Sequence, residues 1–542
     1  MDLVIRNGRV FDPLNGVNGE VKDVFISGGK IAAKAQKNAK TIDASGKAVF
    51  PGGVDIHSHF AGAKVNMGRL FRPEDHLGNE IPARGKFRAG SGFIVPSTWA
   101  TGYKYAEMGY TTVNEPAVPP LTAIHTHEEF IDTPIIDKLG LLLLGNNHQL
   151  IEYISKGEKE KATSLIAWML SRTKTYGIKA ANPGGTFAWG WGKNVKSLDD
   201  PVPYFEVTPA EIIKELIRIN RELKLPHPVH LHTNNLGHPG NFETALKTMK
   251  FSPLHITHLQ FSSYGGDSWK TFSSEAEKLA RAVNGNKGIS IDLGQVVYGD
   301  VTTMTADAPF EFGLSLINRQ KWSNGDIENE TSGGVVPYYY SRKSGVNSVQ
   351  WTIGLELALR IKNPWQAFIT TDNPNAGVFT HYPKIIAWLM SKKYRDQTME
   401  RSHKWASSRT GLGSLDRELT LEEIAIMTRA GPAKRLGLDL SLKEGNPANI
   451  AIYDISPEER DGKKIEKAFS SALYTIKDGK IVVKGGEVVD SSVGKTYYVS
   501  PEVTADIEED IRKRFLYYTV NVGNYGVDMD YLPNPVEVKT NG

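Results

Sequence analysis

The sequence predicts an α/β protein: a TIM-like (β/α)8 barrel accompanied by a β-sandwich domain formed from both chain ends. Three observations carry that expectation. The 542 residues exceed one ordinary core but suit an enlarged barrel with a smaller companion. Short strands with tight turns occur at both ends. Between them, short β-rich runs alternate with helical segments, the pattern of parallel β/α units.

Taken in order, residues 1–50 read as the N-terminal part of the sandwich. Leu3 to Arg6, the turn Asn7-Gly8 and Arg9 to Phe11 form one strand–turn–strand unit, and Val24 to Ser27, Gly28-Gly29 and Lys30 to Ala32 another. Residues 51–438 form the barrel. Within it, Thr208-Pro209-Ala210-Glu211 is a capping box with proline at the first helical position, opening a helix over Ile212 to Leu223. A second box, Thr420 to Glu423, opens another helix, which Gly431-Pro432 is expected to break before a short apolar helix ending near Leu438. Residues 439–497 complete the sandwich, with Ala451 to Tyr453, Leu473 to Ile476, the turn Asp478-Gly479 and Lys480 to Val483. Residues 498–542 hold an acidic helical stretch and the run Phe515-Leu516-Tyr517-Tyr518, too little to fold alone and so expected to dock on this chain or a partner.

Composition narrows the function. Hydrophobic residues are 40% and charged residues 23% of the chain, which is enough to bury a large core. Lys plus Arg is 64 against 61 for Asp plus Glu, so net charge points to neither nucleic acid nor a membrane surface. There is no cysteine, so thiolate zinc sites and cysteine-held iron–sulfur clusters within this chain are excluded. The chain starts Met1-Asp2-Leu3 with no leader pattern, and its densest apolar run, Leu139 to Leu144, is far too short to insert in a membrane. A cytoplasmic protein is expected.

With no thiolate, imidazole is the natural metal ligand, and the chain has 14 histidines. His57 and His59 follow the strand-like Phe50 to Val54; alternate residues of a strand face one way, so both can address one metal. His230-Leu231-His232 follows Pro228-Val229, and His258 ends Ile256-Thr257-His258. Each could instead be a hydrogen-bonded core histidine, but three such groups at successive β/α junctions favour a metal site. Lys179, in Tyr176-Gly177-Ile178-Lys179, and Asp372, in Phe368 to Pro374, stand where further strands should end. Taken alone, the lysine suits a surface cation and the aspartate a turn former.

The order His-x-His, Lys, His, His, Asp resembles the amidohydrolase superfamily, specifically the two-metal branch with ligands on barrel strands one, four, five, six and eight. The resemblance extends over nearly the whole chain to the A subunits of archaeal formylmethanofuran dehydrogenases, through Pro51 to His59, Phe60 to Asn66, Arg72 to Asp75, Ala89 to Phe93, His125 to Phe130, Leu236 to Asn241, Thr302 to Asp307 and Thr371 to Gly377. It implies two zinc ions, one held by His57 and His59 and the other by His232 and His258, with carboxylated Lys179 as the bridge. A neutral amine cannot bridge two cations; its CO2 adduct offers two anionic oxygens. His232 is preferred to His230 because His232-Thr233-Asn234-Asn235 resembles the fifth-strand run of cyclic amidohydrolases, though spacing alone leaves both open. Asp372 would be both a weak metal ligand and the catalytic base.

The resemblance further implies a formate–methanofuran condensation, with CO2 reduced on another subunit that carries tungsten or molybdenum in a pterin. Molybdopterin is not expected in this chain. The A subunit of a bacterial formyltransferase/hydrolase complex, a hydantoinase-like enzyme and a non-catalytic scaffold are the alternatives. Outside the ligand set, His76, His148, His227, His255, His381 and His403 are read as surface or structural; His125, His127 and His238 as possible pocket or supporting residues; and Lys64, Arg72 and Arg88 as cations suited to an acidic substrate tail.

Overall fold

The computed structural model describes residues 2–190, 192–325, 333–515 and 521–540. Its centre is a ring of parallel strands, in chain order Gly53–Asp55, Tyr110–Val118, Asp137–Leu143, Gly177–Ala181, His230–His232, Leu254–Ile256, Ile289–Asp292 and Ala367–Phe368, each paired with the next. A parallel bridge between Ser58 and Asn373 joins the last strand to the first. This is the expected (β/α)8 barrel. Its strands are buried on both faces, which is why Leu139 and Leu141 to Leu144 read as one apolar run.

Helices cover the outside. Pro209–Glu222 starts at the expected capping box, where the Thr208 hydroxyl accepts from the Glu211 amide and the Glu211 carboxylate accepts from the Thr208 amide. Its buried Ile212, Ile213, Leu216 and Ile219 recur at helical spacing. At about 1.5–3 kcal/mol for each such side chain buried, that face holds the helix to the barrel wall.

The two chain ends share one nine-stranded sheet. Ala48–Pro51 pairs with Leu3–Asp12 on one side and antiparallel with Ile450–Tyr453 on the other, so the seam between the ends is a run of backbone hydrogen bonds. Leu3, Ile5, Val24, Ile26, Val49, Ile450 and Ile452 form this sheet's own core. Ala48–Pro51 leads almost directly into the first barrel strand, so the sheet anchors the chain just before His57.

Two local expectations are corrected. Asn7-Gly8 is not a hairpin turn: Leu3–Asp12 is one strand, and the register against Val17–Ser27 shifts between Ile5 and Gly8. Asn7 takes φ of 59°, so the left-handed residue that suits a turn forms a bulge instead. Gly431-Pro432 does not break its helix. Ile426–Ala430 widens into a π-helical turn before the chain re-enters α-helix at Gly431–Arg435, and that widening accommodates a proline with no amide to donate.

Beyond the terminal sheet, Thr496–Tyr498 and Pro535–Glu537 extend the barrel sheet alongside its third strand. Helix Glu508–Phe515 buries Ile511, and Asp510 accepts from Lys161 at 2.8 Å. The Phe515 side chain and Leu516, Tyr517 and Tyr518 lie outside the described residues. Among the described residues no helix is long and apolar enough to cross a membrane.

Candidate metal centre

The six residues singled out from sequence line one pocket at the C-terminal ends of the barrel strands, the end where barrels of this type carry their chemistry. His57 and His59 follow the first strand, Lys179 lies in the fourth, His232 ends the fifth, His258 follows the sixth and Asp372 follows the eighth. The Nε2 atoms of His57 and His59 lie 2.9 and 3.3 Å from the same Asp372 oxygen, Oδ1. His57, His258 and Asp372 each offer a ligand atom within 4.8 Å of the other two. The His232 and His258 rings meet edge to face at 4.8 Å.

Lys179 is buried, and its Nζ has no hydrogen-bond partner among the described residues; neither has Nδ1 of His258. Buried polar groups are nearly always paired. Here two unpaired atoms belong to residues that line one pocket. The donor set is neutral imidazole and carboxylate, the chemistry of a divalent-cation site, and these residues fit a metal ion.

Electrostatics agree with that fit. Burial lowers the pKa of Lys179 to about 7, against the pull of Asp292 and Asp372. Burial likewise lowers His57 to about 4 and His258 to about 3, and His232 well below its ordinary value. Burial therefore favours the neutral form of these three imidazoles, the form that can ligate a cation. Burial alone would raise Asp372, but the imidazoles of His258, His57 and His59 hold it well below the usual carboxylate range. The carboxylate is charged and the amine can shed its proton.

Acidic residues behind the pocket orient these side chains. The Glu115 carboxylate accepts from Nδ1 of His59 at 3.0 Å and from the Phe60 and Ala61 amides, turning Nε2 of His59 toward Asp372. Asp307 lies 3.1 Å from Nε2 of His232. Asp292 accepts from the His258 amide and the Thr370 hydroxyl. His258 and Asp372 take left-handed backbone, φ of 36° and 47°, a conformation costly outside glycine that gathers at functional sites. The turn behind His258 requires Gly294, where a Cβ would stand 2.3 Å from that of His258.

Sequence reasoning missed Glu115, Asp292 and Asp307, because a single acid carries no spacing signal. Asp307 stands at the end of the Thr302 to Asp307 run, the one available hint. Of the remaining candidates, Lys64 lines the pocket. His230 does not; it lies against His57, with Nε2 2.8 Å from Nδ1 of His57. His125 is exposed beside Glu128, and His127 donates to the Thr173 carbonyl, so neither reaches the pocket. Arg72 is spent on Asp300 and the carbonyls of Val301 and Tyr338, Arg88 packs over Trp99, and His238 sits edge-on to Phe310.

Residues 40–483 match the model of the amidohydrolase family. The chain is 52% identical to Protein FwdA of Methanocaldococcus jannaschii over 98% of its length and 97% of that protein. It is 38% identical to the A subunit of the formyltransferase/hydrolase complex Fhc of Methylorubrum extorquens, over 98% and 96%. The crystal structure of that complex with methylofuran contains a chain that superposes with a TM-score of 0.92 at 35% identity, covering 99% of this chain and all of that one.

Proposed function

This chain belongs to the amidohydrolase family, and from that premise we propose that it is the A subunit of a formylmethanofuran dehydrogenase complex, reversibly condensing formate with the amine of methanofuran. The products are N-formylmethanofuran and water. The observation that carries this reading is the orphaned amine of Lys179, buried in a pocket with four imidazoles and one carboxylate.

His57, His59 and Asp372 would hold one zinc ion, and His232 and His258 the other. When bound, these ions would polarise a formyl oxygen and lower the pKa of a water. Lys179, lowered to about 7 by burial, supplies a neutral amine whose nitrogen adds to CO2 and releases one proton. The resulting carbamate would offer two anionic oxygens to the metal site. Asp372 moves the proton of the reaction. In formamide cleavage it accepts from the attacking water and delivers to the departing amine nitrogen; in synthesis it accepts from the amine and delivers to the departing oxygen. Glu115 and Asp307 keep His59 and His232 oriented while this happens. Lys64, on the pocket wall, offers a positive charge to the formate carboxylate.

Formate would come from CO2 reduced at a pterin-bound tungsten or molybdenum centre of a partner subunit in the cytoplasm. The absence of cysteine from this chain is consistent with leaving redox chemistry to that partner. We assign residues 498–542 to assembly, to be tested by whether a chain ending at residue 497 still joins its partners. The central experiment measures zinc content, and both cleavage and synthesis of N-formylmethanofuran, on the purified complex. Two zinc ions per chain with turnover in both directions are expected. A zinc-free chain, or one that hydrolyses hydantoins or dihydropyrimidines without partners, would replace this reading. The second reading, in which the chain serves a bacterial-type formyltransferase/hydrolase complex, is favoured by the superposition on that structure. A co-purifying tungsten or molybdenum pterin protein would separate the two.

A further inference from the structure

Between the seventh barrel strand and the helix Ala308–Asn318, the chain passes along the pocket at Thr305. Thr305 is buried, and its hydroxyl lies 2.5 Å from Oδ2 of Asp372, 67 positions away in sequence. Among the described residues that hydroxyl has no other hydrogen bond. Oδ1, the other oxygen of the same carboxylate, faces Nε2 of His57 and Nε2 of His59. Buried threonines elsewhere bond differently: the hydroxyls of Thr173, Thr248 and Thr428 each donate to the carbonyl four residues back. Thr305 spends its hydroxyl on a pocket side chain instead.

We propose that Thr305 is a positioning residue that fixes the plane of the Asp372 carboxylate, holding one oxygen so that the other stays turned to His57 and His59. The proposal rests on the metal reading above, in which Asp372 both ligates a cation and moves the proton. A carboxylate that ligates a cation is ionised and can only accept, so the hydroxyl donates. The torsion that carries a carboxyl group is broad, so aspartate does not settle its own plane. A half-turn merely exchanges the two oxygens, whereas a quarter-turn takes one of them away from the imidazoles. A donor held at Oδ2 opposes that quarter-turn.

The donor is itself held. The Thr302 amide donates to the Pro374 carbonyl, the Thr303 hydroxyl accepts from the Val336 amide, and the Asp307 amide and carboxylate both bond the backbone of Leu236. The backbone is thus tied on both sides of Thr305, and a β-branched side chain has few χ1 positions to choose from. Two residues on, Asp307 lies 3.1 Å from Nε2 of His232. One short stretch of chain therefore reaches a residue assigned to each of the two proposed ions. A displacement of about 1 Å at a reacting group can cost about 100-fold in rate, which is the scale on which a loose carboxylate would be felt.

The first measurement needs no metal: crystal structures of the metal-stripped full chain, as wild type and as Thr305→Val, compared at the Asp372 carboxylate. In the valine variant the carboxylate is expected to turn or to occupy two orientations; an unmoved carboxylate overturns the proposal. Thr305→Ala, which also lacks the hydroxyl, stands in if the valine chain fails to fold. The second measurement uses the purified complex with zinc. Thr305→Val should lower kcat for N-formylmethanofuran cleavage by about 10- to 100-fold, with KM and zinc content unchanged, the split expected when a group acts only on the reacting step. Thr305→Ser keeps the hydroxyl and should restore kcat to near the wild-type value. Wild-type kcat in Thr305→Val, even with stability lost, reduces Thr305 to a structural hydroxyl and overturns the proposal. So does a serine variant as slow as the valine one, or a rise in KM alone, which would make Thr305 a substrate contact. A wild-type chain with neither zinc nor turnover defeats the metal reading, and the orientation of the carboxylate then decides the role of Thr305 by itself.

Discussion

Two buried lysines on neighbouring barrel strands, Lys138 and Lys179, have the same lowered pKa of about 7, in both cases chiefly through burial, yet different surroundings. Nζ of Lys138, near the start of the third strand, donates to the Phe130 and Thr133 carbonyls at 2.8 and 2.7 Å. Close by, Lys477 sits between Asp137 and Asp478 at 3.0 and 2.6 Å. Nζ of Lys179, on the fourth strand, has no partner among the described residues. A lowered pKa therefore does not by itself distinguish a structural lysine from a reactive one. Their partners differ: Nζ of Lys138 is spent on two carbonyls, and Nζ of Lys179 is left for the carboxylation proposed above.

That contrast can be broken most directly by removing the orphan. Lys179→Ala should lose all measurable turnover and fall below two zinc ions per chain, with the stability of the metal-free chain little changed; small carboxylic acids should restore part of the activity. Full activity with two metals would make Lys179 an ordinary lysine. Next in size, Asp372→Asn keeps the shape but removes the base, so turnover should drop about 100- to 10,000-fold while most of the zinc stays. If Asp372 only shapes the turn before Asn373-Pro374, single-turnover rates will instead remain near normal and thermal stability will fall.

Glu115→Gln should weaken zinc binding by about 10- to 100-fold, since the amide turns His59 less firmly than a carboxylate; equal affinity in chelator competition would count against that role. The smallest effect belongs to the paired lysine. Lys138→Met takes the side-chain donor from the buried Thr133 carbonyl and leaves the Phe130 carbonyl with the Thr133 amide alone, and should cost about 1–3 kcal/mol of stability, with zinc content and turnover intact. Should it empty the pocket as Lys179→Ala does, the comparison collapses. It also has a pH signature. The folded value of about 7 lies below the roughly 10.4 of unfolded lysine. Between those limits the unfolded chain holds a proton that the folded chain has released, so this group makes stability rise with pH across the window. Below pH 7 its burial penalty is fully present. Denaturant titrations should show a shallower slope in Lys138→Met than in wild type.

Much of this arrangement was legible in sequence because strand geometry is simple. The His57/His59 pair was visible through its two-residue period, and the barrel through alternating strand and helix signals. The same period left His230 and His232 equivalent, since both face one way from one strand; they differ only in depth, His232 at the pocket and His230 behind His57. Glu115, Asp292 and Asp307 were illegible for another reason. Ring closure brings them to the histidines from other strands or loops, and no local pattern marks an acid for that task. Asn7-Gly8 misled because a left-handed residue serves a bulge as well as a turn.

The barrel closes where Ser58 bridges to Asn373, and there the His59 amide donates to the Asn373 carbonyl at 2.7 Å while the Asn373 side chain donates back to the His59 carbonyl at 3.0 Å. The seam of the ring thus passes between two groups of donors separated by 315 residues of sequence. During synthesis His57 and His59 emerge long before Asp372, and until the last strand docks against the first their Nε2 atoms do not face its carboxylate. Contacts of such long sequence separation are among the slowest to form. Closing the pocket is therefore expected among the later steps of folding, and under the metal reading proposed above, retention of a metal ion would report that the ring has shut. A chain stalled one strand short would carry most of the donors and lack the arrangement that makes them a site.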